Sequence, residues 1–586
     1  MKKFVAVLVA LLMCGTMLCG CTAKEGDNSG NLPDGSETEQ PGGSGEEENP
    51  GGGEEENPIE TDWFKALPDE TLNNLSADGY VKDKISDFSQ YAGTDAYRTV
   101  STSSELIEAL IAAKYSYTSA WDEETASVKQ TLNSEGTVHV IEIAADIDMG
   151  YKKLDAKYQS SNGNGPYVEN YSRGKDKNIA AFTMSDIFNE SGFTKVKIEN
   201  TNNLLIYSKN GAKLTHCGFS LLSDSNVVIR NLEFDEMWQW EDSAKSSTAA
   251  VGDYDAFGWA YVKVAHCGYV WIDHCTFGKS YDGQIDYSNP VYNDKSTAFR
   301  APYGATGENG LHISWCKFNA GSDDPDGYLY KMMAKIEDEY QAGGQNYLYY
   351  NALRNGGISF EDILYGLAIP QKKGFLCGDS GNGTTDYDYN KSLQISFSNC
   401  IFKNLEDRLP KLRGGNAYMY NCIVDSSQYY EYRTKLRSAG AASKVQSVNS
   451  GWKCALVSQG IVCGNGGSFK AENCVFKGIQ DLLKNNDKGG TTENGVVRTV
   501  NGGYQLVNCL YQQSANSTPT DTNFTNASPS TLTTANFAWN TKDGEAPFTV
   551  SPVALDELSE YLNNENYGAG VTALMQDRLQ KSKYGE

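Results

Sequence analysis

With 586 residues, 39% of them hydrophobic, the chain has material for a large core, and length alone allows several domains. Its formal net charge of −25 says little about the folded part, because residues 25–60 hold twelve acidic residues and no Lys or Arg. Past the N-terminal leader no segment is long or apolar enough to span a bilayer, and the scattered His139, His216, His266, His274 and His312 argue against a histidine metal site.

The first element in the chain is an export leader. Lys2 and Lys3 precede the apolar run Phe4 to Leu18, and Leu18-Cys19-Gly20-Cys21 comes next. A Cys after a small residue at the end of such a run resembles a bacterial lipoprotein cleavage site, with Cys21 as the acylated residue. Residues 1–21 are therefore expected to be a signal peptide. Residues 22–60 are expected to be a disordered acidic tether of Gly, Pro, Ser, Asn and Glu. Together they predict an exported protein held at the bacterial outer membrane, on its periplasmic or cell-surface face, with lipid as its only membrane contact. Without the anchor it would be secreted. Residues 61–586 remain for one folded domain.

Ser103 to Lys114 carries a capping signal and helical periodicity. It is expected to cap the N-terminal end of a ladder of similar segments. Asn231-Leu232-Glu233-Phe234, His274-Cys275-Thr276-Phe277, Trp315-Cys316-Lys317-Phe318 and Asn399-Cys400-Ile401-Phe402 share one pattern. Asn421-Cys422-Ile423-Val424, Asn473-Cys474-Val475-Phe476 and Asn508-Cys509-Leu510-Tyr511 continue it. Each ends a β-like run and puts a small or apolar residue and a bulky one at i and i+2, on one face of a strand. The shortest spacing, Cys400 to Cys422, is 22 residues, and the others are longer by variable amounts. That arithmetic fits a solenoid with rungs of twenty-odd residues and insertions emerging as loops. It predicts a buried column of free thiols and an asparagine amide ladder at a rung bend. A β-sandwich would space its strands more evenly.

Residues 320–370 form the longest insertion, with short helices, and must lie outside the solenoid as a lid or wall. Val553 to Asn563 is a second amphipathic stretch, expected to cover an open end, where strand edges are otherwise unpaired.

Carboxylates cluster in mid-chain. Asp253 and Asp255 are two apart and share a strand face. Asp282 and Asp286 lie beyond them in Tyr281-Asp282-Gly283-Gln284-Ile285-Asp286. Carboxylate-only sites suit hard cations such as calcium. On a straight strand Asp282 and Asp286 would stand about 13 Å apart, so they share an ion only if the chain bends, which Gly283 permits. A third element is Arg408-Leu409-Pro410-Lys411-Leu412-Arg413. Pro410 cannot donate to a ladder, and a bend there would turn Arg408 and Arg413 to the same side. The alternative for these arginines is pairing with Glu406 and Asp407. There is no P-loop, no His-Glu-x-x-His and no Cys-x-x-Cys, and no nucleic-acid partner is expected.

These stretches, taken in order, resemble polysaccharide lyase family one, the pectate lyases. Asn226-Val227-Val228-Ile229-Arg230-Asn231 resembles the strand that opens the family's core. Val270-Trp271-Ile272-Asp273-His274-Cys275 is similar to its Trp-Ile-Asp-His segment, and Asp255-Ala256-Phe257 and Asp282 to Asp286 to its calcium-binding stretches. Arg408-x-Pro-x-x-Arg413 is similar to its catalytic stretch. The resemblance spans residues 95–575 and implies a right-handed parallel β-helix. By position it implies that Asp255, Asp282 and Asp286 ligate calcium, with Asp253 a possible fourth. Arg408 would be the base, neutral at least transiently, and Lys373 (or the adjacent Lys372) and Arg413 would bind substrate. Trp271, Asp273 and His274 are assigned to structure. The implied activity is calcium-assisted β-elimination of polygalacturonate by a monomer, giving unsaturated oligogalacturonides. Two other readings are a glycoside hydrolase using Asp282 and Asp286, and a noncatalytic pectin-binding scaffold.

Overall fold

The computed structural model describes residues 78–571 apart from 123, 125–126, 173–189, 241–257, 289–308, 379–389, 391–392, 455, 457, 465–466, 486–490, 494–495, 499–502, 515–519, 522–523, 526–551 and 564–567. Cys21, the tether, Asp253 and Asp255 lie outside the described residues.

Three stacked sheets make up the described body, with eleven, nine and ten strands. Pairing within them is parallel over the body of the stack, for example Val227 with Val270, and Ile229 with Ile272. Successive strands visit the sheets in turn. Tyr269–Asp273 lies in the eleven-stranded sheet, Thr276–Phe277 in the ten-stranded and Ile285–Ser288 in the nine-stranded. The next rung begins at Gly310–Ser314, directly beside Tyr269–Asp273. This is the parallel β-helix expected from the ladder, and a sandwich is ruled out by the strand direction.

The repeated triplets fall in register because each bulky residue occupies the same inward position on its rung. Phe277 stacks on Phe234 at 5.3 Å, Phe318 on Phe277 at 4.8 Å and Phe402 on Phe318 at 5.1 Å. The eleven described cysteines are free thiols, and Cys275, Cys316, Cys400, Cys422, Cys474 and Cys509 are buried. They serve as small apolar fillers. The residue before each of them turns the corner in the left-handed region: His274, Trp315, Asn399, Asn421, Asn473 and Asn508 have φ between 48° and 54°. Asparagine tolerates that conformation best among residues with a Cβ. Its amides add a ladder, Asn508 donating to Asn473 Oδ1 and Asn473 to Asn421 Oδ1, each at 2.6 Å.

The helix Ser103–Ala113 begins with a capping box between Thr102 and Glu105 and buries Leu106, Ile107 and Leu110. Val553 to Asn563 departs from expectation. Its helix, Leu558–Leu562, packs on Trp315, Ile401, Ile423 and Val475. Those residues face outward from successive rungs, so the segment covers a flank of the solenoid and not its open end. The 320–370 insertion forms the helices Tyr328–Gln341, Leu348–Asn355 and Phe360–Ile363. A second insertion also proves helical, over Ser427–Ser438 and Ala441–Val448. The two insertions pack together, with Tyr365 stacked on Tyr432 at 4.9 Å. Both leave the ten-stranded sheet and return to the nine-stranded one, so they form one wall beside the latter.

Candidate active site

The nine-stranded sheet carries the charged groups. Its neighbouring strands Val262–Ala265, Ile285–Ser288, Phe375–Cys377 and Lys411–Arg413 set Lys263, Asp286, Leu376 and Lys411 in one row. Alternation dictates their direction. Val262, Ile285, Phe375 and Leu412 are buried in the solenoid, so the row faces outward, and Arg413, two after Lys411, faces out with it.

The bend required of Asp282 and Asp286 is present. The strand begins only at Ile285, and Asp282 lies in the turn before it. Ser280 Oγ donates to the Gly283 carbonyl at 2.8 Å, and Gln371 Nε2 donates to the Asp282 carbonyl at 2.7 Å. Gly283 is needed for close approach, since a Cβ there would stand 2.9 Å from Asp286 Oδ1. The carboxyl of Asp286 is held above its usual range by burial and by repulsion from Asp282, with Lys263, Arg408 and Lys373 pulling the other way. That mutual influence places Asp282, Asp286, Lys373 and Arg408 in one electrostatic neighbourhood.

Lys373 reaches this neighbourhood directly, its Nζ 2.6 Å from Asp282 Oδ1. Lys372 instead acts on Glu406, whose charge it favours together with Lys279 and Arg433. Burial pushes the Glu406 carboxyl up to about 7, and burial likewise brings the Lys279 ammonium down to about 7. Two lysines adjacent in sequence thus act on different carboxylates.

Arg408 adopts φ 70°, a conformation rare for a residue with a side chain, and precedes a cis peptide between Leu409 and Pro410. Its carbonyl accepts from Phe375 N at 2.8 Å, and its own N–H donates to Asp407 Oδ1 at 2.8 Å. Gly374 is required opposite, because a Cβ there would lie 2.5 Å from that carbonyl. The Arg408 Nε is buried without a hydrogen-bond partner, and among the described residues no carboxylate lies within ion-pair distance of its guanidinium. The alternative pairing of this arginine with Glu406 or Asp407 therefore does not occur.

The structure thus brings Asp282, Asp286, Lys373 and Arg408 together, with Arg413 on the same face. Asp253 and Asp255 fall outside the described residues, and among those described no three metal-ligating side chains converge. The part present suits a hard cation: two carboxylates on a bend, with a glycine clearing space beside one of them.

No established family profile matches the chain. Individual proteins do. Pectate lyase B of Paenibacillus amylolyticus is 32% identical over 351 residues, covering 60% of this chain and 78% of that protein. The chain belongs to the pectate lyase family. A solved pectate lyase of Paenibacillus sp. 0602 superposes on this lyase with a TM-score of 0.64 at 25% identity, covering 86% of this chain and 97% of that one. A pectate trisaccharide-lyase of Thermotoga maritima is 26% identical over 257 residues, 43% of this chain and 47% of that protein.

Two further residues of the lyase join the site only in the folded chain. Lys263 lies one rung before Asp286, its Nζ 3.7 Å from Asp286 Oδ2. Tyr171 sits against it, the ring centroid 5.8 Å from the same Nζ. The available signal was a lysine between two valines, Val262 and Val264, on a strand whose partner carries Asp286. Trp271, Asp273 and His274 occupy another sheet, buried in a network with Arg230 and Ser314.

Proposed function

We propose that this pectate lyase, of polysaccharide lyase family one, cleaves α-1,4-linked polygalacturonate by calcium-assisted β-elimination, releasing unsaturated oligogalacturonides for pectin catabolism. The observation that carries the reading is the bend that brings Asp282 and Asp286 together one rung from Lys373 and two from Arg408. Asp282 and Asp286 would hold the ion, with Asp255 and Asp253 as further ligands. Bound calcium supplies Lewis-acid polarisation of the substrate carboxylate, which acidifies the neighbouring C5–H. Arg408 takes the C5 proton in its neutral guanidine form, and among the described residues no carboxylate pairs with it to hold it charged. Lys373 and Arg413 grip substrate carboxylates, the arginine through its planar fork. The cationic row holds the negative charge that develops as the C4–O bond breaks. Anchoring through Cys21 at the outer membrane, and action as a monomer, belong to the same proposal.

The test is a polygalacturonate assay followed in the ultraviolet, with calcium and with excess chelator. Elimination leaves a conjugated, absorbing product, whereas hydrolysis does not. Chelation is expected to abolish the signal and calcium to restore it. Undiminished turnover in chelator would remove calcium from the mechanism, and reducing ends without absorbance would remove elimination.

A further inference from the structure

Among the described residues, each of the two carboxylates assigned to calcium already has a lysine near it. Lys373 Nζ is 2.6 Å from Asp282 Oδ1, and Lys263 Nζ is 3.7 Å from Asp286 Oδ2. Substrate binding accounts for Lys373. Nothing in the elimination accounts for Lys263, which lies on the far side of Asp286 from Arg408 in the strand order. An ammonium fixed beside a metal carboxylate repels an incoming dication and competes for the same oxygen. Its direction is imposed by the fold: Val262 and Val264 are buried, and the register puts Lys263 opposite Asp286.

Lys263 also has a second place to go. The Tyr171 ring lies 5.8 Å from its Nζ, and the buried Tyr171 hydroxyl is already within reach of the same ammonium. The ammonium is thus shared between a phenol and a carboxylate, and a lysine stem has the freedom to shift it from one oxygen to the other. A second cation near that ring, Lys195, is tied to Glu169.

We propose that Lys263 is a positioning residue, a built-in counter-ion that is shared between Asp286 and the Tyr171 hydroxyl while calcium is absent and gives up Asp286, keeping only Tyr171, when the ion binds. It keeps the carboxylate ordered at the cost of calcium affinity, and so sets the calcium concentration at which the enzyme becomes loaded. This rests on the calcium reading given above.

The experiment is a calcium titration by calorimetry on the full-length protein without substrate, with thermal unfolding measured in calcium and in chelator. Lys263→Met keeps the stem and removes the charge. It is expected to bind calcium roughly tenfold more tightly, and Tyr171→Phe, which removes the alternative acceptor, a few-fold more weakly. Lys263→Met should also unfold earlier in chelator yet gain more from calcium than the parent does. A purely structural role would lower the midpoint equally in both conditions. Equal or weaker calcium binding by folded Lys263→Met overturns the proposal. Asp286→Asn separates the two failures: if it binds calcium as the parent does, the calcium reading falls and the proposal with it. If it loses calcium while Lys263→Met is unchanged, only the role of Lys263 falls.

Discussion

Two clusters of charge sit on two faces of one solenoid, and they are built in opposite ways. On the eleven-stranded sheet, Asp273 is 1% exposed. It meets Arg230 at 3.0 Å, His274 at 2.7 Å and the Ser314 hydroxyl at 2.5 Å, while Trp271 Nε1 donates to Ser314 at 2.8 Å. Trp271 packs under Val81 and Phe88 of the segment that precedes the first strand. On the nine-stranded sheet, Asp286 keeps a fifth of its side chain exposed and its lysine neighbour Lys263 is 3.7 Å away. Arg408 nearby has no ion pair among the described residues. A carboxylate satisfied on every side and sealed from water is committed to the fold. A partly exposed carboxylate and a guanidinium without an ion pair on one outer face are available to a ligand.

Substitution tests this contrast, and the largest effect is expected at Arg408. Arg408→Ala should lower turnover by about 10²–10⁴-fold, the range for losing a positioned base, and leave the unfolding midpoint almost unchanged because no ion pair is lost. Product formation equal to the parent's would end its assignment. Asp273→Ala should do the reverse. Stranding Arg230 in the interior is expected to cost about 3–5 kcal/mol of stability, read by denaturant unfolding, while activity per folded molecule survives. Loss of activity in a stably folded Asp273→Ala protein would place that network in the chemistry.

His216 extends the test to pH. Burial opposes its charge, but Asp148 Oδ1 at 2.7 Å and Glu236 Oε2 at 3.3 Å raise it to about 8. A raised folded value means that the charged imidazole stabilises the fold fully below its unfolded value of about 6.5. The contribution fades as pH climbs through about 8. His216→Asn should therefore lose about 2 kcal/mol at pH 6 and almost nothing at about pH 9.5, and a loss independent of pH would contradict the pairing. The smallest effect separates two neighbours. Lys373→Ala should raise KM for polygalacturonate by about tenfold, as expected for a charge-assisted contact, and Lys372→Ala by less than about twofold. Equal effects would mean that both reach substrate.

The fold was largely legible because a solenoid repeats itself. Asn421-Cys422-Ile423-Val424 and Asn473-Cys474-Val475-Phe476 occupy equivalent places on successive rungs, so one local pattern, read several times, specifies bend, thiol column and aromatic stack together. The insertion between those two rungs shows the limit. The spacing from Cys422 to Cys474 reveals extra chain without revealing its form, and the helices Ser427–Ser438 and Ala441–Val448 are polar on several sides. Tyr429 and Leu436, both fully buried, seat the first of them, and neither stands out in so polar a stretch.

The rung, its corner and the order of the charged stretches are written into the chain locally, because they depend on contacts between equivalent positions of a repeat. Which charges meet is a matter of the folded molecule. The turn at Gly283 folds Asp282 back toward Asp286, the register sets Lys263 beside it, and Lys373 and Lys372 act on different carboxylates, Asp282 and Glu406. Those outcomes depend on how far apart in sequence the strands lie and on how each insertion returns to the sheet, and no local pattern encodes that.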